Sequence, residues 1–511
     1  MNQYLLGIDV GTTNVKAALF DSEGRTVAEN TCEHATLHPR PGWAEQDSVT
    51  WWDGTVKVLG PILSSGIDAS EIKGVGISCQ APALVPLDDS GVPLRNALIW
   101  MDTRSAPQCE RIRSTLGEER VQAITGNRID PSYLLSKTIW LKENEPELFA
   151  RTRRILTANG YIVYHLTGRH SCDISHASLS QLYDVKQHAW SQTLCDTFGI
   201  PLELFPQVFE TSDVVGTITR EAAAATGLPE GVPVVAGIVD ANAAGLSAGV
   251  VGSGDGVIVM GTSSVLLMGS DKWIDCGNLA EIYHATPGSS VVFAAMSTTG
   301  ASLKWFRDQF GQVEQSIAEE RGQNVYDILT AAAAEVEPGV GNLIFLPYMN
   351  GERAPIWDSS AQGTLFGLSL KTTRAQVIRA ILVGVAFGLY QNVREAQNIG
   401  LGLSRLMAVG GGNSEHWFRI IASVLGIPIC LPGNNSGATF GAAVLAGVGT
   451  GVFKGVREIV DQAVTVAKTI EPEPAWHAHY QELFEIYCNL YHHLKDDMHN
   501  LAALDRHPDG S

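Results

Sequence analysis

A glycine–threonine segment near the start of the chain is flanked by two charged residues. Asp9 comes two positions before Gly11-Thr12-Thr13, and Lys16 comes three positions after it. Glycine lets the backbone close around an oxyanion, and backbone amides, hydroxyls and a lysine can all bind phosphate oxygens. Asp9 could hold Mg²⁺ through water, because this hard cation keeps much of its hydration shell. The segment is therefore a candidate phosphate and magnesium site, although an ordinary β-turn beside a solvated aspartate fits the same residues.

The same kind of segment recurs 250 residues later as Gly261-Thr262-Ser263. Each copy lies between two apolar runs, which predicts a strand on either side of a tight turn. We therefore expect two related halves, residues 1–250 and 251–511, that each open with a hairpin. Two such turns facing each other could clamp a polyphosphate from both sides. The four runs are Tyr4–Asp9, Asn14–Phe20, Gly256–Met260 and Val265–Met268.

Asp240 stands at a second position that is suited to chemistry. It follows the apolar run Val232–Val239, which predicts a strand, and it precedes the small-residue segment Ala241–Gly249, which predicts a helix. The carboxyl end of a strand is a favoured place for functional groups in α/β proteins. Partial burial there would raise the pKa of the carboxylate towards that of a general base. A helix N-cap needs the same residue at the same place, and the two roles are compatible.

Three other patterns have weaker chemical meaning. Gly410-Gly411-Gly412-Asn413, after a strand predicted at Leu406–Val409, could admit a flat ring or form a tight turn. The tryptophans of Trp43–Asp47 and Trp51-Trp52 favour a packed corner over a sugar platform. Five histidines near the end have spacings that fit no common metal site, so a solvated helix face is expected; they are His477, His479, His492, His493 and His499.

The elements that must position these residues alternate between strand and helix patterns. A turn at 21–24 and an extended run at 25–31 complete an opening β-meander, and Ile72–Ser78 predicts a buried strand. A further strand is expected to end near Ile99-Trp100. Helices are expected from Asp47 or Ser48 onwards and over Ser136–Asn144, Val377–Val393 and Glu482–His499.

Composition limits the classes of function. The 511 residues carry a formal charge of −19, with 45% hydrophobic and 17% charged residues, which indicates a globular α/β protein. The negative charge disfavours nucleic acid and anionic membranes as partners. No apolar run has the length of a membrane span, and the first residues do not resemble a signal peptide. Eight cysteines without a Cys-x-x-Cys pair indicate reduced thiols, so a cytoplasmic location is expected.

Taken together, these segments resemble the FGGY carbohydrate kinases of the actin-like ATPase superfamily. The resemblance covers nearly the whole chain and is strongest to members that phosphorylate D-xylulose. The motifs appear in the family's order, at residues 7–13, 42–47 with 51–52, 100–104, 236–240, 260–263, 347–355 and 410–413.

The resemblance implies two ribonuclease-H-like domains flanking a deep cleft, with the sugar bound to the first domain and ATP mainly to the second. It implies that Asp240 accepts the proton of the attacking hydroxyl and that Asp9 lies near Mg²⁺ and the phosphates. Residues implied to bind the nucleotide and its phosphates are Gly11, Thr12, Thr13, Lys16, Gly261, Thr262, Ser263, Gly300, Gly411 and Asn413. Residues implied to surround the sugar are Gln80, Ala81, Trp100, Asp102 and Asp240.

The chain departs from the family pattern at a few positions. Gln80 is followed by Ala81-Pro82, where members acting on D-xylulose usually have Met-His, so a polar sugar contact is missing. Ala241 follows the implied base, where Asn or Gln is common. Val383 ends a signature that usually ends in an acidic or amide residue, and Leu134 and Thr138 are unusual within another signature. These changes indicate a divergent subgroup, since none of them touches the phosphate elements.

The leading hypothesis is an ATP- and Mg²⁺-dependent kinase for a hydroxyl of a ketopentose, D-xylulose or a close relative. The alternatives are a kinase for another sugar, polyol or sugar acid, such as ribulose, gluconate, glycerol or a tetritol, and a non-catalytic actin-like ATP switch. A pure switch needs neither a sugar base nor the residues expected around the sugar. A homodimer is expected only because it is the commonest assembly.

Overall fold

The structure of the protein is a computed structural model that describes residues 3–338, 342–410, 414–433 and 437–504. It is a mixed α/β fold with one seven-stranded sheet in each half of the chain. The expected α/β class is therefore confirmed.

The first half contains both the first sheet and a group of short hairpins and helices that extend from it. Its strands are β1 Tyr4–Val10, β2 Asn14–Phe20, β3 Thr26–Glu33, β4 Glu45–Gln46, β5 Ile72–Cys79, β6 Val85–Leu87, β7 Ala97–Leu98, β8 Arg154–Leu156, β9 Cys172–Asp173, β10 Tyr183–Asp184, β11 Ala189–Trp190, β12 Val208–Phe209, β13 Val214–Thr217, β14 Pro233–Val235 and β15 Ile238–Val239. Its helices are α1 Ser48–Leu63, α2 Ala106–Leu116, α3 Glu118–Thr125, α4 Leu134–Asn144, α5 Pro146–Arg151, α6 Ala158–Thr167, α7 Ile174–Ser178, α8 Gln192–Phe198, α9 Arg220–Thr226 and α10 Asp240–Ser247.

The second half contains the second sheet and the longest helices. Its strands are β16 Gly256–Met260, β17 Ser264–Ser270, β18 Ala280–Tyr283, β19 Ser290–Met296, β20 Ile344–Leu346, β21 Thr364–Phe366, β22 Leu406–Gly410, β23 Ile429–Pro432 and β24 Val466–Ile470. Its helices are α11 Gly300–Phe310, α12 Gln312–Arg321, α13 Val325–Ala334, α14 Arg374–Asn398, α15 Glu415–Leu425, α16 Ala438–Gly449, α17 Val456–Ala463 and α18 Pro474–Leu504.

The two sheets share one arrangement around their central strand. In the first, β1 pairs antiparallel with β2 and parallel with β5. In the second, β16 pairs antiparallel with β17 and parallel with β22. The outer strands continue as β13-β14-β5-β1-β2-β3 and β18-β19-β17-β16-β22-β23-β24, with β15 also paired to β5. The prediction that each half opens with a hairpin is confirmed.

The strand predicted over Val232–Val239 is wrong in one respect, because it is broken into β14 and β15. Gly237, between them, has a φ of 94°, a left-handed conformation that favours glycine, and a Cβ there would lie 2.4 Å from the Ile77 carbonyl oxygen. The Gly237 N–H donates to the Thr211 carbonyl at 3.0 Å rather than to a neighbouring strand. The break redirects the chain immediately before Asp240, and an apolar run alone gives no sign of it.

A helix from the second half packs against the first sheet. Helix α16 lies across β1 and β5 and also contacts α10. The approach is so close that a Cβ at Gly7 or Gly76 would lie 1.9 Å from a carbonyl oxygen of α16. At Gly441, on α16 itself, a Cβ would lie 2.3 Å from the Ala243 oxygen. Small residues on both sides therefore bring the helix that begins at Asp240 into direct contact with the other half of the chain.

The predicted helices are present and most extend beyond their predicted limits. Asp47 caps α1, where its Oδ1 accepts a hydrogen bond from the Val49 N–H at 3.0 Å. Helix α14 is long and apolar enough to cross a membrane, with a mean hydropathy of 1.3, but 83% of that stretch is buried inside the protein. It is the central helix of the second core, where Val383 is buried among apolar side chains. All eight cysteines are free thiols, as expected.

Candidate active site

Three parallel strands of the first sheet end at the same edge and present the candidate catalytic groups. Strand β5 lies between β1 and β15, with Asp9 and Ile238 both opposite Ser78. Asp9 therefore stands near the end of β1, Gln80 directly after β5, and Asp240 directly after β15. The two predicted catalytic carboxylates and the first predicted sugar residue are thus brought together by strand register.

Asp9 is half-buried and has an unusual ionisation. Burial raises its pKa to about 7, the negative charge of Asp240 acts in the same direction, and a hydrogen bond from Ser78 and the charge of Lys16 oppose the change. The Ser78 hydroxyl donates to Asp9 Oδ1 at 2.8 Å. The effect of Asp240 on the Asp9 pKa agrees with the placement of both carboxylates at the same edge of the sheet.

Asp240 is the first residue of α10 and is also half-buried. Burial raises its pKa to about 6, while a hydrogen bond from the Ala241 N–H and the nearby His176 oppose the change. The Ala241 N–H donates to Asp240 Oδ1 at 2.7 Å. The side chain does not cap the helix, since the N-cap is Val239. A carboxylate with a pKa near 6 is largely ionised at pH 7 and can accept a proton.

The first glycine–threonine turn is held by side chains. Its own Gly11 N–H donates to the Asn14 carbonyl at 2.9 Å. Gln46 Nε2 donates to the Thr12 carbonyl at 2.7 Å, and the Trp100 indole N–H donates to Thr12 Oγ1 at 2.9 Å. Trp100 is 42% exposed, so a predicted sugar residue lies directly against a predicted phosphate residue.

Gln80 is buried beneath this turn. Its Nε2 donates to Gln46 Oε1 at 2.7 Å, while its Oε1 has no hydrogen-bond partner in the described part of the chain. That oxygen is buried, so a ligand hydroxyl could donate to it only after neighbouring side chains move. Ala81 and Ala241 both pack against an apolar cluster that contains Tyr133 and Val239. An apolar surface therefore stands next to Asp240 where the related pattern has polar residues.

Lys16 and Thr13 are less constrained. Lys16 stands opposite Asp9 in the β1–β2 pair, and its Nζ lies 2.7 Å from Glu29 Oε2 with both side chains substantially exposed. Thr13 is exposed at the end of the turn. Both are free to meet a phosphate group, and contact between them and a nucleotide stays a prediction.

Asp102 is placed differently from the other predicted sugar residues. It is fully buried, and its Oδ2 accepts hydrogen bonds from the Ala44 N–H at 2.6 Å and from Arg104 at 2.7 Å. The Arg104 guanidinium also bonds Glu45 at 2.7 Å and lies 3.5 Å from the centre of the Trp43 ring. The tryptophan segment is therefore a packed corner, as expected. Direct contact between Asp102 and a sugar stays a prediction that requires part of this network to open.

The second glycine–threonine turn is held by backbone. The Gly300 N–H donates to the Gly261 carbonyl, and the Thr299 and Ala301 N–H groups donate to the Thr262 carbonyl, each at 3.0 Å. A Cβ at Gly300 would lie 2.5 Å from the Gly261 oxygen, so only glycine fits this approach. The turn, including Ser263, therefore lies against the first turn of α11.

A cavity of about 580 Å³ opens beside this second turn. Gly261, Thr262 and Gly300, which the resemblance assigns to the nucleotide, line it, and the volume suits a nucleotide-sized ligand; nucleotide binding there stays a prediction. Gly411 and Asn413, also expected there, lie outside the described residues. No sequence pattern pointed to the rest of the lining, which comes from separate helices and loops: Ala301, Leu303, Lys304, Asn324, Tyr326, Asp327, Thr330, Ser414 and Trp417.

The groups around Asp9 also fit the expected cation. No group of three or more His, Cys, Asp or Glu side chains arranged to hold a metal occurs among the described residues. A single carboxylate beside the Ser78 hydroxyl supplies hard oxygen atoms, which suits Mg²⁺ that keeps most of its water and takes phosphate oxygens as further ligands. Binding of Mg²⁺ there stays a prediction.

Comparison with known families adds evidence from the whole chain. Residues 4–247 match the model of the N-terminal domain of the FGGY family of carbohydrate kinases, and residues 256–450 match the model of its C-terminal domain. Xylulose kinase from Bacillus subtilis (strain 168) is 31% identical over 97% of this chain and 98% of its own length. L-xylulose/3-keto-L-gulonate kinase from Escherichia coli (strain K12) is also 31% identical, over 96% and 97%.

Solved structures give the same picture. The crystal structure of xylulose kinase from Rhodospirillum rubrum superimposes with a TM-score of 0.90 at 32% identity, covering 97% of this chain and all of that one. A gluconate kinase from Lactobacillus acidophilus superimposes with a TM-score of 0.88 at 25% identity, covering 97% and 98%. The fold is therefore that of the two-domain sugar kinases.

Proposed function

Because the chain belongs to the FGGY family of carbohydrate kinases, we propose that it transfers the γ-phosphate of ATP to a hydroxyl of xylulose or a closely related ketopentose. The observation that carries the catalytic part is the convergence of Asp9 and Asp240 at the ends of two strands that flank β5. The relatives named as xylulose kinases, at about 30% identity over nearly their full length, support the choice of sugar.

Asp240 is the proposed general base. Its carboxylate accepts the proton of the sugar hydroxyl as that oxygen attacks the γ-phosphorus, and the bond to the ADP leaving group breaks. Phosphoryl transfer needs little covalent assistance, so position and electrostatics dominate. Burial supports the role, because it raises the pKa of Asp240 to about 6 and makes the carboxylate a better proton acceptor while it stays mainly ionised at pH 7.

The phosphates are proposed to lie between the two turns. On one side are Gly11, Thr12, Thr13 and Lys16, and on the other are Gly261, Thr262, Ser263 and Gly300, with the rest of the nucleotide in the adjoining cavity. Asp9 is proposed to hold Mg²⁺ through water; when bound with ATP, Mg²⁺ offsets the negative charge of the phosphates. Gly411 and Asn413 are proposed nucleotide contacts on the resemblance alone.

The sugar is proposed to lie against Gln80, Ala81, Trp100 and Asp240. The unpartnered Gln80 Oε1 supports this position, since a sugar hydroxyl would satisfy it. A sugar acid is the second candidate, favoured by the L-xylulose/3-keto-L-gulonate kinase among the relatives. A cytoplasmic location and a homodimer stay predictions.

The deciding experiment is coupled ADP release with Mg-ATP against a panel of ketoses, aldoses, polyols and sugar acids, with wild type and Asp240→Asn side by side. We expect one pentulose to give the highest kcat/KM and Asp240→Asn to remove the response. A preference for a sugar acid would replace the proposed substrate. Slow hydrolysis of ATP that no compound in the panel stimulates would favour a nucleotide switch.

A further inference from the structure

A buried carboxylate–histidine pair lies next to Asp240, and the proposed chemistry leaves it without a role. His176 Nδ1 lies 2.6 Å from Asp173 Oδ2, and neither side chain is exposed to solvent. The Asp173 carboxylate also accepts hydrogen bonds from the His176 backbone N–H at 3.0 Å and from Asn159 Nδ2 at 2.9 Å. Asp173 is therefore fixed, and it holds the imidazole in one orientation.

The other ring nitrogen has no partner of its own. His176 Nε2 is buried and has no hydrogen-bond partner among the described residues. A buried polar atom without a partner is costly unless a ligand or a nearby charge compensates it. Because Nδ1 is engaged by Asp173, Nε2 is the nitrogen through which this side chain can act on its surroundings.

The pair is connected to the strand that carries Asp240. Helix α7, which holds His176, packs against β15, and the Ser175 hydroxyl accepts a hydrogen bond from the Val239 N–H at 2.9 Å. His176 also lies close enough to Asp240 for its charge to favour the ionised carboxylate. The packing of α7 and the electrostatic effect of His176 therefore both act on Asp240.

We propose that His176, oriented by Asp173 on the helix that is hydrogen-bonded to β15, is a positioning residue that lies beside Asp240 and stabilises it in the ionised form that accepts the sugar proton. This assignment rests on the proposed role of Asp240 as base. His176 takes no proton from the substrate; the hydroxyl proton goes to Asp240.

Other ionisable groups are near enough to affect the same equilibrium. Asp9 and Cys79 share the strand ends with Asp240, and Lys16 acts on Asp9. On the elements packed against α7 the ionisable residues are Cys172, Asp173, Tyr183, Asp184, Glu281 and Tyr283. The carboxylates of Asp9 and Asp173 both disfavour a further negative charge nearby, so a positive imidazolium has the sign needed to keep Asp240 ionised.

The first test is the pH dependence of kcat/KM in His176→Asn and His176→Gln. Removing the His176 ring should move the acidic limb of the profile upwards by about 0.5–1 pH unit, because His176 lowers the pKa of Asp240, while the KM for ATP changes less than about threefold. His284→Gln is the matched control, because His284 is also buried and its ring Nε2 lies 3.0 Å from the Val250 carbonyl oxygen. The acidic limb of its kcat/KM profile should stay at the wild-type position. An unshifted limb in folded His176 variants would overturn the proposal.

The second test needs no turnover and so separates this proposal from the proposed function. Labelling the aspartate side-chain carboxyl carbon with ¹³C allows Asp240 to be titrated by NMR, and its signal is the one missing in Asp240→Asn. Because His176 lowers the pKa of Asp240, His176→Asn should raise the Asp240 midpoint by about 0.5–1 pH unit. A midpoint that is the same in wild type and His176→Asn would show that the two groups do not interact, whatever sugar the enzyme uses.

Discussion

The two glycine–threonine turns lie between strands that pair in the same way, but different groups hold the two turns in place. In the first, Asp9 stands opposite Lys16 across the hairpin; at the matching place in the second, Val259 stands opposite Val265. The first turn is held by the Gln46 and Trp100 side chains, and the second by N–H groups at the start of α11.

The second turn is also one residue shorter, since the flanking pairs are Val10 with Val15 and Met260 with Ser264. A backbone cradle binds phosphate whatever its side chains are, whereas charged side chains are needed for metal and proton chemistry. The two hairpins therefore have the same strand pairing, but only the first has charged residues at these matching positions.

The largest effect is expected from removing the carboxylate of Asp240, which lies in the first half of the chain. Asp240→Asn should lower kcat by about 10²–10⁴-fold, because the amide cannot accept the hydroxyl proton. The affinity for ATP should stay within a few fold, since the nucleotide cavity belongs to the second half. Steady-state kinetics together with equilibrium nucleotide binding measure both. Retained turnover would show that Asp240 is not the base. A parallel loss of ATP binding would show that the affinity for ATP also depends on the first half of the chain.

Backbone support should make the second turn sensitive to a single methyl group. Gly300→Ala places a Cβ 2.5 Å from the Gly261 oxygen, so we expect a loss of roughly 1–3 kcal/mol in the free energy of unfolding and a higher KM for ATP. Gly11→Ala is the comparison variant on the first hairpin, where the nearest atom to an added Cβ is 3.5 Å away; its counterpart Gly261 has similar room at 3.6 Å, so the contrast lies in the packing of α11 against the second turn. The stability of Gly11→Ala should change little. Denaturant unfolding of both proteins checks the contrast, and equal losses would contradict it.

The raised pKa of Asp9 predicts that the stability of the protein depends on pH, whereas the matching residue of the second hairpin, Val259, has no ionisable group. The pKa of Asp9, about 7 in the folded protein, is above the ordinary value of 3.8, so the folded state binds this proton more tightly than the unfolded chain does. Stability should therefore fall as the pH rises from about 4 to 7. Asp9→Asn removes this contribution and should raise the free energy of unfolding at pH 8 by on the order of 2 kcal/mol, after allowance for partial exposure. Val259→Asn changes the matching position of the second hairpin and should leave the pH dependence of stability unchanged.

The sequence predicted those parts of the site that depend on local pattern. Apolar runs, glycine turns and the repeat were sufficient to predict both hairpins and most of the helices. The resemblance assigned Asp9 and Asp240 to one reaction, and the structure gives the physical basis, since β1 and β15 both run parallel to β5 and end at a common edge. Non-local packing was not predictable: the break at Gly237 depends on the Ile77 carbonyl oxygen, which belongs to a neighbouring strand.

The same limit applies to His176 and to Asp102. Nothing near His176 in sequence indicates that Asp240, 64 residues later, lies beside it. Asp102 has a suitable residue type at a family motif, but its oxygens are bonded to Ala44 and Arg104 by the folding of the tryptophan corner. Most of the nucleotide cavity likewise comes from separate helices and loops that pattern alone cannot bring together.

The smallest effect is expected from the exposed ion pair on the first hairpin. Lys16 and Glu29 are 2.7 Å apart, but their side chains are 37% and 55% exposed, so water and salt weaken their attraction. Glu29→Gln should change the free energy of unfolding by less than about 0.5 kcal/mol. It should also lower the KM for ATP by about twofold or less at low salt, because Lys16 would no longer be shared with a carboxylate, and this gain should fade as salt increases. An unchanged KM for ATP would show that Lys16 does not contact the nucleotide. The charged groups of the proposed site in the first half would then be the carboxylates of Asp9 and Asp240.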